Sequence, residues 1–195
     1  MIRFINIILH ASAILFLLAS CSQNKITPSA EIATRFYSFN SIESITVTSS
    51  AVRVYYSQDT TTSVKAEGPA NMIDALRIKN DASNMLTIEL KDTDAFNITS
   101  DSQFIKVWVS SPTVNSFEVM SGAYLIVPES ICSPNTVTIN AYTGSKALFS
   151  DVKSEYVTAD AFQGSEISID RVQASNIDAT HYTGATIIIA GDTIK

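Results

Sequence analysis

The stretch "ADAFQGSEISI", residues 159–169, reads as a β-strand on both sides of a glycine. Small or apolar residues fall on alternate positions: Ala159 and Ala161 before Gly164, Ile167 and Ile169 after it. A glycine inside a strand costs backbone entropy and packs nothing, so Gly164 marks a feature other than a plain strand. Three further segments carry the same pattern: "FEVMSGAYLIV" at 117–127, "INAYTGSKALF" at 139–149 and "ATHYTGATIII" at 179–189. Their glycines, 122, 144, 164 and 184, are 22, 20 and 20 residues apart.

Aligned on the glycine, one parity is apolar or small throughout. It runs Phe117, Ile139, Ala159, Ala179, and again Leu125, Ala147, Ile167, Ile187. Strand alternation puts that parity inward. A period near 20 with internal strand alternation predicts a parallel β-helix or solenoid, each coil giving short strands stacked about 4.8 Å apart. The glycine column then marks a tight corner that leaves no room for a Cβ. The competing architecture is a meander of equal hairpins with glycine at bulges. The charges favour stacking, because in two outward columns Lys146 would neighbour Glu166 and Asp151 would neighbour Arg171.

Upstream, residues 36–112 carry less regular strands. "SITVTSSAVRVYY" alternates on both sides of Ser49 and Ser50, "LRIKNDASNMLTIEL" is strand, turn and strand, and "FIKVWVSSP" stops at Pro112. "PANMIDAL", opening at Pro69, predicts one helical turn. The expected class is all-β, with irregular strands over 36–112 and glycine-register coils over 113–195.

The first twenty residues, "MIRFINIILHASAILFLLAS", place Arg3 before a flawed apolar run. They read as an export signal rather than an anchor helix. The run ends in "LASC", Leu18 to Cys21, an aliphatic residue and two small ones before a thiol, which resembles the lipobox of bacterial lipoproteins. Cys21 is the expected lipid attachment site, and more than one acyl chain there gives stable anchoring. Residues 21–35 read as a polar tether. No acid appears after Cys21 until Glu31, which favours the periplasmic face of an outer membrane over surface display. Removing residues 1–20 takes away Arg3 and no acid, leaving 12 basic against 19 acidic side chains, net −7. That balance argues against nucleic acid as a partner and against electrostatic adhesion to anionic headgroups.

Little chemistry is legible. Past the signal there is one histidine, His181, which falls in the inward column and reads as a core residue. Cys132 reads as a small buried apolar residue. One histidine and one free cysteine leave no zinc site of ordinary composition, and no cofactor motif is present. Glu118 and Asp160 share an outward column two repeats apart, about 9.6 Å by strand spacing. That is near the carboxylate separation of about 6.5–9.5 Å in inverting glycosidases, so a polysaccharide-acting enzyme is the second reading. The first is a binding or scaffolding protein. Its expected contact surface is the outward column Tyr142, Phe162, Tyr182, as a strip for a glycan, a protein or a second copy.

These segments, with "FNSIESITVTSSAVRVYY", "VKAEGPANMIDALRI" and "VWVSSPTVNSFEVMSGA", resemble the family of putative auto-transporter adhesins with a head GIN domain, from about Phe36 to the end. The resemblance implies a β-solenoid-like fold, an adhesin-like role and a place in the envelope of a Gram-negative bacterium. It transfers no binding residues. The family usually runs further than "IIIAGDTIK", so a capping coil is expected to be missing here or replaced by a partner.

Overall fold

A computed structural model describes residues 26–91, 96–190 and 192–194, the last three by backbone alone. The signal segment 1–20 and Cys21 lie outside the described residues. From Ile26 onward the expected tether is hydrogen-bonded to the body. Asn97 N–H donates to the Ile26 carbonyl at 2.9 Å, and Ser29 N–H donates to Asn71 Oδ1 at 2.9 Å. The first strand, β1 (Ile32–Tyr37), begins inside that segment.

Then follow β2 (Ser44–Val47), β3 (Val52–Ser57), β4 (Ser63–Pro69), the short helix α1 (Ala70–Ala75), β5 (Leu76–Asn80), β6 (Met85–Leu90) and β7 (Ile105–Ser110). The glycine segments supply β8 (Ser116–Val119), β9 (Tyr124–Ala141), β10 (Lys146–Phe162), β11 (Glu166–Ile169), β12 (Val172–Gln173), β13 (Asn176–Tyr182), β14 (Thr186–Ile189) and β15 (Asp192–Ile194). Helix α1 is the single turn that Pro69 predicts, and it buries Met72 and Ile73.

All fifteen strands among the described residues belong to one mixed sheet, nearly closed into a barrel-like shape. One path across it runs β1-β4-β7-β3-β9-β10-β11-β14-β15. A second runs β5-β6-β2-β8 and joins the far halves of β9 and β10, where β13 continues it. The long strands β9 and β10 serve both paths, and the ladder between them shifts register at Phe149/Asp151 and again at Ser154/Tyr156. Between the paths, Tyr56, Phe117 and Phe149 meet edge to face at 5.4 and 5.1 Å.

The expected parallel β-helix is therefore corrected to a mixed sheet. The glycine segments do pair in parallel at the 20-residue register: Val157 sits between Val137 and Ile177, and Ile167 faces Ile187. However, β1–β4, β4–β7, β5–β6 and β14–β15 are antiparallel. Strands from the first half of the chain also take places beside the glycine segments, β3 on β9 and β2 on β8. No single direction of winding carries the chain through the fold.

All four glycines of the register have positive φ; at Gly144, Gly164 and Gly184 torsion alone explains them, while at Gly122 a Cβ would also crowd Ser50 at 3.1 Å. At Gln163 and Gly164 φ is +54° and +71°, and the Ser165 amide donates back to the Phe162 carbonyl at 3.2 Å. Two consecutive positive φ angles closed by that bond are the signature of a type I′ turn, which favours glycine. A Cβ on Gly164 would meet nothing within 4 Å. The turns also bond to one another: Gly122, Gly144 and Gly164 N–H donate to the carbonyls of Thr143, Gln163 and Thr183 at 3.0, 3.0 and 3.1 Å.

Candidate functional site

The outward residues two before each glycine form a real column. Tyr142 and Phe162 lie 5.2 Å apart between ring centroids and 6° from parallel, and Phe162 and Tyr182 are 5.3 Å and 14° apart. The parallel register causes this, because Ala161 pairs with Ala141 and Phe162 with Tyr182. Tyr142 and Phe162 are half-buried, while Tyr182 is 56% exposed. Stacking consumes the ring faces within the column. It presents ring edges to solvent, together with the exposed surface of Tyr182. The flat strip expected from sequence is thus narrower than the spacing suggests.

At Tyr182 the column borders a hollow of about 530 Å³, lined also by His181, Thr183, Gly184, Ala185 and Thr186. His181 keeps the inward parity opposite Ala161 but is only half-buried, so the expected core histidine stands at a surface instead.

Glu118 and Asp160 lie in the neighbouring row, Thr46–Glu118–Asn140–Asp160–Thr180, with Asn140 between them. Glu118 Oε2 accepts from Thr46 Oγ1 at 3.3 Å. Burial first, then these two carboxylates, pushes the Tyr142 phenol above its ordinary pKa. The pair shares one solvent-facing row of a sheet, not the opposed walls of a cleft that cleavage with a bound water requires. Among the described residues no group of three or more His, Cys, Asp or Glu is placed to hold a metal.

Two local expectations are corrected. Cys132 is exposed, its N–H donating to Gln58 Oε1 at 2.7 Å and its carbonyl accepting from Gln58 Nε2 at 2.8 Å. Asp151 neighbours Arg171 as expected, at 4.0 Å, but it is buried rather than outward, because the register shift after Phe149 turns it inward; Lys153 also reaches it, at 3.5 Å. The Lys146–Glu166 pair forms as expected, at 2.7 Å. That hydrogen bond and the charge of Glu166 raise the Lys146 pKa.

The sequence reading missed a second outward row. Register places Phe36 beside Lys65, Lys65 beside Trp108, Trp108 beside Tyr55, Tyr55 beside Ile126 and Ile126 beside Leu148. The adjacent row holds Arg53 between the rings of Phe104 and Tyr124, 3.7 Å from each centroid. Burial lowers the Arg53 pKa, against the pull of Tyr124 and Asp101. The alternation of "VRVYYS" and "IKVWVS" carries half of this signal; the pairing of β3 with β7 carries the rest.

Similar folds are known. A putative adhesin from Parabacteroides merdae superposes with a TM-score of 0.62 at 13% identity, over 84% of this chain and 75% of that one. A putative lipid binding protein from Parabacteroides distasonis gives 0.67 at 16%, over 81% of this chain and 65% of its own length. A putative adhesin from the same species gives 0.60 at 14%, over 85% and 79%. At such identities the likeness establishes the fold. No curated protein sequence matches. The sequence profile for putative auto-transporter adhesin, head GIN domain, matches residues 39–195, and the chain belongs to that family.

Proposed function

We propose that this is a lipid-anchored envelope protein that works by binding, in an adhesin-like or scaffolding role, and not by catalysis. The observation that carries this reading is the outward aromatic column Tyr142–Phe162–Tyr182, ending in an exposed ring beside an open hollow. Solvated sheet faces ordinarily carry polar residues, and a row of half-buried rings ending in an exposed one offers a contact surface for a glycan, a protein partner or a second copy. Membership of an adhesin-named family and the name of the neighbours agree with that role. The acidic balance leaves anchoring to lipid on Cys21, after removal of residues 1–20, with the periplasmic face of an outer membrane as its place.

The test has two arms. Tyr142→Ser with Tyr182→Ser should leave the protein folded while weakening its binding to envelope fractions or its self-association measured by sedimentation. Unchanged binding with unchanged stability would reject the column as a contact surface. Cys21→Ser should leave an unprocessed precursor that takes up no radiolabelled palmitate; normal labelling and processing would reject the anchor.

A further inference from the structure

We propose that a trough on the outer face of β3, β4 and β7 is a second binding site, and that its ligand is a neutral glycan. The outward row Phe36–Lys65–Trp108–Tyr55 is tall. The next outward positions along the same strands are Ser63, Ser110 and Ser57, paired Ser63 to Ser110 and Ser57 to Ser110. Small hydroxyl residues beside large rings leave a hollow of about 550 Å³, which Asp59, Thr61 and Pro128 also border. That volume is ordinary for a small-molecule site.

Each wall has its own chemistry. Tyr55 and Trp108 stack at 5.9 Å and 18°, and Lys65 Nζ lies 4.7 Å over the Trp108 ring. Trp108 is thus covered on both faces, by Tyr55 and by Lys65, and meets the trough with its edge as part of an apolar wall. Phe36 stands at the mouth, 75% exposed, the most exposed large apolar side chain among the described residues. Opposite the rings are hydroxyls: Ser63 Oγ and Ser110 Oγ are 2.9 Å apart, and Ser110 Oγ also bonds the Thr61 carbonyl at 2.9 Å. The exposed Asp59 accepts the Thr60 amide and hydroxyl, both on Oδ1.

A sugar ring fits this pairing, with its C–H surface against the exposed Phe36 ring and the edges of the Tyr55–Trp108 stack, and its hydroxyls exchanging bonds with the serines and Asp59. An acyl chain would strip water from the serine floor and from Asp59 without replacing the hydrogen bonds. A polyanion would meet Asp59 and an acidic protein, and Lys65 is already paired with Glu67 at 2.9 Å.

The chain has a single tryptophan, Trp108, so its emission reports on the trough. The full-length protein is titrated with linear neutral hexasaccharides of glucose, of mannose and of N-acetylglucosamine. Heparin, palmitate and phosphatidylethanolamine–phosphatidylglycerol vesicles run in parallel. The expected result is a saturable emission change with at least one neutral oligosaccharide. Phe36→Ser, at an exposed position, and Ser63→Leu, which fills the floor, should each weaken it about tenfold, the effect of losing one good aromatic or packing contact. Both variants are checked for an unchanged melting temperature, and Phe36→Ser decides if Ser63→Leu unfolds. The Tyr142→Ser, Tyr182→Ser double variant should titrate like the unaltered protein, which separates this site from the aromatic column. The proposal is overturned if no neutral oligosaccharide changes the emission. It is equally overturned if the change survives in the folded trough variants, or if only heparin, palmitate or vesicles produce one.

Discussion

Ser165 Oγ donates to the carbonyl of Ala141 at 2.8 Å, across the ladder from one glycine segment to the one before it. The same oxygen accepts the Phe162 amide at 3.0 Å. Ser145 does likewise, to Val119 at 2.7 Å and from Tyr142 at 3.0 Å. Both serines are buried, Ser145 at 0% and Ser165 at 2% exposure, so each satisfies a turn and a neighbouring strand where water does not reach. Ser165→Ala should therefore cost about 1–3 kcal/mol, the penalty of leaving a buried donor or acceptor unpaired. Urea unfolding measures it. A change under about 0.5 kcal/mol, the low end for a single hydrogen bond, would show that the Oγ bonds are not needed, as they are not at Ala123 and Ala185.

Gly164→Ala tests the torsional account of the glycine column. With open space around the added methyl, the cost should be only the left-handed conformation, about 1–2 kcal/mol. Gly164→Asn should cost less, since asparagine tolerates that region. If alanine and asparagine were equally and severely destabilising, crowding would be the cause instead.

Ile169 is fully buried and faces Phe149 and Ile189 in register. Ile169→Ala should destabilise the protein by about 2–5 kcal/mol, as core truncations do. Ile188→Ala, one position outward in the neighbouring strand and half-buried, should cost clearly less. Chemical denaturation of the two variants side by side gives the comparison.

The Tyr56 hydroxyl donates to the Ser111 carbonyl at 2.7 Å, and burial raises its pKa strongly, against a smaller opposite pull from the Val114 backbone. The unfolded chain, with an ordinary tyrosine pKa of about 10, gives up this proton first. The contribution is thus whole below about pH 10 and declines as the pH rises beyond it. Tyr56→Phe should cost about 1 kcal/mol at neutral pH for the lost hydrogen bond and flatten the loss of stability on the alkaline side. An identical alkaline slope in the two proteins would contradict this.

The legible parts of this fold are those written locally. The inward parity, the 20-residue spacing, the Lys146–Glu166 pair and the helical turn after Pro69 all rest on residues that the repeat or a short stretch brings together. The strand-turn-strand of "LRIKNDASNMLTIEL" is likewise local, and Arg77 does face Glu89. What the sequence conceals is pairing at long range: Tyr55 with Trp108, Ile45 with Phe117. Alternation gives each strand two faces but no partner, so residues 36–112 look irregular although every strand there is well paired. The trough escaped for that reason. Asp151 was misplaced because a bulge breaks the two-residue period on which the inward and outward assignment rests, and Cys132 because its reading rests on residue type rather than on its place in the strand.

The two kinds of pairing also bear on how the chain comes together in time. Thr143 and Gln163, in consecutive turns, touch across 20 residues, whereas Thr46 reaches Glu118 across 72. By loop-closure entropy the longer connection costs about 1 kcal/mol more before any contact repays it. The glycine segments therefore have the shorter search, whereas β2 and β3 complete their pairing only when β8 and β9 are in place. Pulsed hydrogen exchange should see amides of β9 and β10 protected before those of β2. On a ribosome, β2 and β3 would each present one unpaired edge until β8 and β9 emerge, and that delay leaves those edges open to whatever machinery meets them.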